Sequence, residues 1–410
     1  MKSYLDQLMA EKNVDTLVVL GKGEGNPPFS WFSGGAKLAH SSIIVKKRNE
    51  STLLIHTAME RDSVLETGLK TLSYPEAIPD YNAIIKNEPD ADIRDAKHLE
   101  SLLKQVGAEG TISVHGFLDS GQAYRILSFL QKKPSFTIYD GSEDIIKLAR
   151  QIKDPEEVNR IKRIAKATGD VLSSIRSFLG GLREEDGYAI NADGRRVSLG
   201  DLRELIRFEL FKHVLFENDS TIVSMGRDAG VPHNRGNDND LLKVGQTIIM
   251  DIFPHEPNGY FFDCTRTFCL GKAPPAVESL YSDVLETQET ILNEIEVNVP
   301  HGQLYGRTCE LFEQQGHPTS RTVPNTTDGF CHGLGHGIGL EIHEAPFIGL
   351  SKLKNTKAVT RVGEVFTVEP GLYYPGKGMG VRIEDVVAIT EDGVKNLSPF
   401  PKDLIVPLRR

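Results

Sequence analysis

Cysteine is scarce in this chain: four among 410 residues, at positions 264, 269, 309 and 331, none in a CxxC pair. Four are too few to staple a chain of this length, so they read as reduced thiols. No run of about 18 apolar residues occurs, which excludes a helical membrane span. Lysine and arginine number 47 against 57 acidic residues, for a net charge of −10. With no basic run to grip phosphates, a nucleic-acid partner is not expected. The stretch Met1-Lys2-Ser3-Tyr4-Leu5-Asp6 does not lead into an apolar segment with a small-residue cleavage site, so no secretory signal is read and a cytoplasmic location is expected. Nor does the first part of the chain carry a glycine loop opening a helix, which removes a dinucleotide site.

What is present reads as globular, with 39% hydrophobic and 25% charged residues. The length exceeds what one core organises, so two domains are expected. Over residues 1–146, short apolar runs at Thr16–Leu20, Ser42–Val45, Thr52–Ile55 and Thr111–Val114 predict strands. Helical patterns follow at Ala58–Thr67, Asp95–Val106 and Ser120–Gln131. This predicts an α/β domain with a mixed sheet. A boundary falls at Arg150-Gln151-Ile152-Lys153-Asp154-Pro155-Glu156-Glu157, where Asp154 can cap a helix, Pro155 suits its first position and the glutamates favour its positive end. Val158, Ile161, Ile164, Ala165, Leu172 and Ile175 continue the helix until Gly180-Gly181 ends it. The second domain, 150–410, turns to strands from about Thr221, and the chemistry lies there.

Two acidic hairpins stand out. Thr247–Phe253 and Tyr260–Phe268 read as paired strands carrying Asp251 and Asp263. A tight Asn258-Gly259 turn sets Asp251 opposite Arg266, whereas a wider loop brings it near Asp263. In the other hairpin, Val365–Gly371 returns through Pro375-Gly376-Lys377-Gly378 to Val381–Val387. A two-residue Gly376-Lys377 turn places Glu369 directly opposite Glu384. At about 4 Å and an effective dielectric near 20, such a pair repels by roughly 4 kcal/mol, so a cation belongs between them. Arg382 is one candidate and a metal ion another.

The segment Cys331-His332-Gly333-Leu334-Gly335-His336-Gly337-Ile338-Gly339-Leu340 has two histidines four apart. As a helix it would bear four glycines at about 1 kcal/mol each. Their alternation predicts an extended chain with one face stripped of side chains. His332 and His336 then stand about 13 Å apart and cannot share an ion.

Asp251, Asp263, His336, Glu369 and Glu384, with the phrases GHGIGLEIHE, TVEPGLY, VRIEDVV and IKDPEEVNRIK, resemble the creatinase/aminopeptidase P/prolidase group of metallopeptidases over residues 150–410. The resemblance implies an α+β protein: a pita-bread catalytic domain preceded by a smaller creatinase-like α/β domain, commonly as a homodimer. It implies two divalent ions, Mn2+ first with Co2+, Zn2+ or Fe2+ as alternatives. Asp251 would chelate one ion, Asp263 and Glu384 would bridge both, and His336 with Glu369 would complete the second. A water between the ions would attack the bond preceding proline, with Glu369 as proton shuttle and His233 and His343 as catalytic, substrate-facing histidines. His332, Phe347 and Arg382 complete the expected substrate contacts. Phe347 stands where dipeptide-cleaving members tend to place an arginine that holds the substrate carboxylate. Cleavage after the first residue of a longer peptide is therefore expected as readily as dipeptide cleavage. The alternatives are a non-catalytic peptide-binding module or another amide hydrolase on the same fold; both relatives typically lose ligands that this chain retains.

Overall fold

The structure is a computed structural model that describes residues 3–141, 143–217, 221–398 and 400–409, so Met1 and Lys2 of the N-terminal stretch lie outside it. It divides into two compact units, Met1–Arg150 and Gln151–Arg410. No helix among the described residues is long and apolar enough to cross a membrane.

The first unit is built on a sheet of β1 (Thr16–Gly21), β2 (Ser42–Lys47), β3 (Leu53–His56), β4 (Lys70–Ser73), β5 (Gly110–Gly116) and β6 (Phe136–Ile138), in the order β4-β3-β2-β1-β5-β6. β1 runs parallel to β5 and antiparallel to β2, while β3 and β4 run parallel to each other. Every residue of β1 is buried, as its uninterrupted apolar run requires of a central strand. The helices Ala91–Gln105 and Ser120–Leu130 pack Leu99, Leu102, Leu103, Ile126 and Leu130 into the core beneath it. The helix expected at Ala58–Thr67 is absent. Two 3-10 turns, Ala58–Glu60 and Ser63–Thr67, stand there instead. Met59 and Leu65 are exposed while Val64 is buried, so the apolar residues do not share one helical face.

The second unit opens with the helix Pro155–Gly180. Asp154 accepts from the Glu157 amide, and the Glu157 carboxylate accepts from the Asp154 amide, closing the capping box. The face carrying Val158, Ile161, Ile164, Ala165, Leu172 and Ile175 is buried. After a short hairpin of β7 (Arg183–Glu185) and β8 (Tyr188–Ile190) come β9 (Ile222–Met225), β10 (Thr247–Ile252) and β11 (Cys264–Leu270). These form a sheet closed by β19 (Ile405–Val406) at its far edge, in the order β19-β11-β10-β9. β12 (Gly335–Gly337), β13 (Glu344–Ile348), β14 (Val365–Val368), β17 (Asp385–Thr390) and β18 (Gly393–Asn396) form a second sheet, ordered β13-β12-β14-β17-β18. The pair β15 (Gly371–Tyr374) and β16 (Met379–Arg382) stands apart from it. The helices Pro275–Glu294 and His301–Gln314 bury Val284, Ile291, Leu304 and Phe312 in one core with Phe366, Val368, Leu372 and Val387 of these strands.

Candidate metal centre

Register brings the first pair of carboxylates together. β10 pairs with β11 so that Asp251 faces Thr265 and Met250 faces Arg266. The tight Asn258-Gly259 turn is therefore not the one adopted, and the ladder ends before Asp263. Asp263 lies two residues before the partner of Asp251, just ahead of β11, near enough for the Asp251 charge to push its carboxyl up. Arg266 turns away to Asp385 at 2.8 Å and to backbone carbonyls.

The second pair follows the predicted register. β14 pairs Val368 with Asp385, β15 pairs Gly371 with Arg382, and the same offset places Glu369 opposite Glu384 in the gap between the two ladders. The turn itself differs from the expectation. Pro375–Lys377 form a right-handed 3-10 turn and the positive φ, +68°, falls at Gly378 rather than Gly376. The hydrogen bond from Gly378 N to Pro375 O keeps the register.

The glycine-rich segment is not helical, and it is regular for only three residues, Gly335–Gly337. A Cβ on Gly335 would lie 2.0 Å from Thr367 O, and one on Gly337 would lie 2.0 Å from Ala345 O. The stripped face is where the neighbouring strands press closest. His336 is thereby held between β13 and β14, its amide donating to Thr367 Oγ1 at 3.0 Å.

Three side chains converge here: single ligand atoms of Asp263, His336 and Glu384 lie within 4.8 Å of one another, and all three residues are buried. His336 Nε2 stands 3.5 Å from Glu369 Oε1 and 3.8 Å from Asp263 Oδ2. Its Nδ1 contacts Gly337 O at 3.1 Å; a carbonyl only accepts, so Nδ1 carries the proton and the Nε2 lone pair faces the carboxylates. Burial, with His343 beside it, lowers the His336 pKa to about 4, so the ring is neutral. Burial pushes Glu369 up to about 8, and burial followed by repulsion from neighbouring carboxylates, Glu384 for Asp263 and Glu369 for Glu384, drives Asp263 and Glu384 well above the usual carboxylate range. Asp251 Oδ1, Asp263 Oδ1 and Glu384 Oε1 are buried without a hydrogen-bond partner. Unpartnered buried carboxylate oxygens gathered with an unprotonated imidazole nitrogen are what a divalent metal ion coordinates, and Asp263, His336 and Glu384 fit one; Asp251 and Glu369 fall outside that group of three.

Among the described residues Arg382 makes no ion pair with either glutamate, although its charge pulls both carboxyls down against the rise from burial. Its Nη2 lies 2.7 Å from Asp251 Oδ2, its Nε donates to Thr265 Oγ1, and its Nη1 donates to Tyr373 Oη and Pro232 O. Expected among the substrate contacts, it is instead buried with its donors spent on protein groups, and acts through Asp251. Tyr373 Oη, accepting from Arg382, donates to His332 Nε2 at 2.9 Å, while His332 Nδ1 donates to Gly333 O. Both His332 nitrogens are thus engaged away from any ligand, and burial lowers its pKa to about 3. His343 packs its ring 4.3 Å from that of His336 and is exposed. Its electrostatic coupling to His233, which also reaches His332, places the Val231–Asn234 loop at the same rim. Phe347 pairs with His336 across β12 and β13, on the same sheet face, and is 50% exposed.

Reading the sequence missed Tyr373, Thr265, Thr367 and Lys153. Thr265 donates to Glu384 Oε2 at 2.7 Å and Thr367 to Glu369 Oε1 at 3.4 Å. Lys153 forms a buried 2.8 Å ion pair with Glu344, next to His343. Tyr373 lays its ring against Gly371, where a Cβ would meet the tyrosine Oη, but nothing local in the sequence marks it as a site residue. The lysine had no local signal.

Residues 159–391 match the sequence model of metallopeptidase family M24. The Xaa-Pro dipeptidase of Pyrococcus furiosus is 27% identical over 411 residues, covering 99% of this chain and 100% of that protein. Among solved structures, the X-Pro aminopeptidase of Thermotoga maritima aligns with a TM-score of 0.74 and 24% identity over 98% of this chain and 99% of its own. The Xaa-Pro dipeptidase of Bacillus anthracis aligns with a TM-score of 0.75 and 20% identity over 100% and 99%. At those identities the structural likeness shows the fold.

Proposed function

We propose, from the premise that the chain belongs to metallopeptidase family M24, that this metallopeptidase hydrolyses the bond preceding proline in short peptides. Two divalent ions would be held by Asp251, Asp263, His336, Glu369 and Glu384. The observation that carries the reading is the convergence of ligand atoms of buried Asp263, His336 and Glu384 within 4.8 Å, with unpartnered buried oxygens on Asp263, Glu384 and Asp251. The names of the relatives in Pyrococcus furiosus and Pyrococcus horikoshii, both Xaa-Pro dipeptidases, support the substrate class.

When bound, such ions supply positive charge that polarises a peptide carbonyl and acidifies water. The remaining work belongs to the chain. Glu369 moves the proton from the attacking water to the departing nitrogen. His343 and His233, exposed at the rim, hydrogen-bond the substrate carbonyl as charge develops on its oxygen. Phe347 offers an apolar wall beside His336, and the ring of His332 lines the rear of the site. Arg382 and Tyr373 fix the Asp251 carboxylate. An imide bond before proline has no N–H to be held as a strand, so the site must grip neighbouring groups instead.

Four oxygen-donor carboxylates with one imidazole suit Mn2+, ahead of Co2+, Zn2+ or Fe2+. Four free cysteines fit a reducing cytoplasm. Exposed Phe208, Phe211 and Phe216 offer apolar surface for the proposed homodimer.

The test compares the Mn-loaded protein on Xaa-Pro dipeptides and on tripeptides with proline second. With Phe347 at the rim in place of a carboxylate-binding cation, the tripeptides are cleaved at least as well as the dipeptides. A clear preference for dipeptides refutes the Phe347 argument, and turnover of neither refutes the function.

A further inference from the structure

The first unit carries a cavity lined by its own residues. At β1 the strand order reverses: the chain leaves β1 for β2, β3 and β4 on one side, then comes to β5 and β6 on the other. In open α/β sheets, the crevice at the carboxyl ends of strands at such a switch point is where ligands bind. A cavity of about 610 Å³ lies there, reached by the ends of β1 and β3, the start of β2, and the helices Ala91–Gln105 and Ser120–Leu130. Its volume is in the range of small-molecule sites. All of its lining falls within residues 20–126.

Its walls differ in chemistry. Leu20, Leu99 and Ile126 are buried and make an apolar floor. Tyr74, Tyr81 and His98 form a continuous ring stack, with centroids 5.7 and 4.6 Å apart and planes tilted by 19° and 22°. Burial lowers the His98 pKa, and its Nε2 donates to Tyr81 O, so the neutral ring completes the stack. Beside these rings, Arg94 and Asp95 line the cavity. Among the described residues, neither makes an ion pair. Arg94 donates one long bond, 3.4 Å, to Glu88 O, and Asp95 Oδ2 accepts from Gln122 Nε2 at 3.1 Å. A guanidinium rich in free donors therefore stands next to a carboxylate, over an apolar and aromatic pocket.

We infer that the first unit binds a small zwitterion with an apolar or aromatic side chain, an α-amino acid or dipeptide. The carboxylate of the ligand pairs with Arg94, its ammonium with Asp95, and its side chain lies on the rings and the apolar floor. A phosphate ligand is disfavoured because Asp95 repels it and no glycine loop leads into a helix N-terminus here. The inference is independent of the metal centre.

The test is isothermal titration calorimetry of the full chain carrying Asp263→Asn and treated with chelator, so that the metal centre cannot report. The probes are L-phenylalanine, L-leucine and, as the competing class, adenosine monophosphate. The expected result is saturable binding of the amino acids, weakened at least about tenfold by Arg94→Gln and separately by Asp95→Asn, as the loss of a charged hydrogen bond requires. Phe347→Ala, at the metal centre, leaves that binding unchanged. Circular dichroism of the two pocket variants confirms that they fold. Absence of binding up to about 10 mM, binding indifferent to both pocket variants, or binding of the nucleotide alone overturns the inference.

Discussion

Arg382 Nη2 sits 2.7 Å from Asp251 Oδ2, and the pair is buried. Through Tyr373 the same guanidinium reaches His332, so one hydrogen-bonded chain runs from a candidate ligand to the rear of the site. Replacing Arg382 with Met leaves Asp251 buried beside three other carboxylates without its cation. The ion-free protein is expected to lose about 3–5 kcal/mol of stability, read by urea unfolding in chelator. A loss under about 1 kcal/mol, the level of an exposed pair, would show that the contact is incidental.

Asp263 behaves in the opposite sense. Its carboxyl is pushed up by burial and by Glu384 and Asp251, so in the ion-free protein it is a source of repulsion. Asp263→Asn is expected to melt higher than the unmodified chain in chelator and lower in Mn2+, with turnover lost in both. Each kcal/mol shifts the midpoint by about 2–4 °C for a unit of this size. Curves that do not cross between the two conditions speak against Asp263 as a ligand.

Lys153 and Glu344 are both buried, 2.8 Å apart, and their pair anchors the turn that presents His343. Lys153→Met is expected to cost about 3–5 kcal/mol and to lower kcat/KM. The double variant Lys153→Met with Glu344→Gln recovers much of the stability, since neither charge is then stranded. Additive losses in that double-mutant cycle would deny the coupling.

Gly335 and Gly337 let three strands close around His336. A methyl at either position meets a carbonyl oxygen at 2.0 Å, backbone that cannot swing aside. Gly335→Ala and Gly337→Ala are each expected to destabilise by about 1–3 kcal/mol or more and to weaken metal retention by displacing His336. Wild-type melting and metal content in either variant would refute the close-approach argument.

How much of this was legible in the sequence depended on how local the determinant was. The capping box at Asp154 and Glu157 and the offset of Glu369 against Glu384 were readable, because each lies within one helix turn or one hairpin. The hairpin offset survived even though the positive φ moved to Gly378, since the same number of residues spans the turn. Asp251 was harder: a loop of undetermined width left its partner open, and the structure sets Thr265 opposite it rather than Arg266. The segment Ala58–Thr67 misled because its apolar residues suited a helix in number but not in facing. Lys153 and Tyr373 were invisible as site residues because their partners, Glu344 and His332, are distant in sequence and only the fold brings them near.

The central claim is that these carboxylates and His336 hold a dinuclear metal site, and metal content tests it most directly. After equilibration with Mn2+ and removal of free ion, elemental analysis of the unmodified chain should give about two ions per chain, falling to a small fraction of that in Asp263→Asn. Fewer than about one ion per chain in the unmodified protein, or the same content in both proteins, would contradict it.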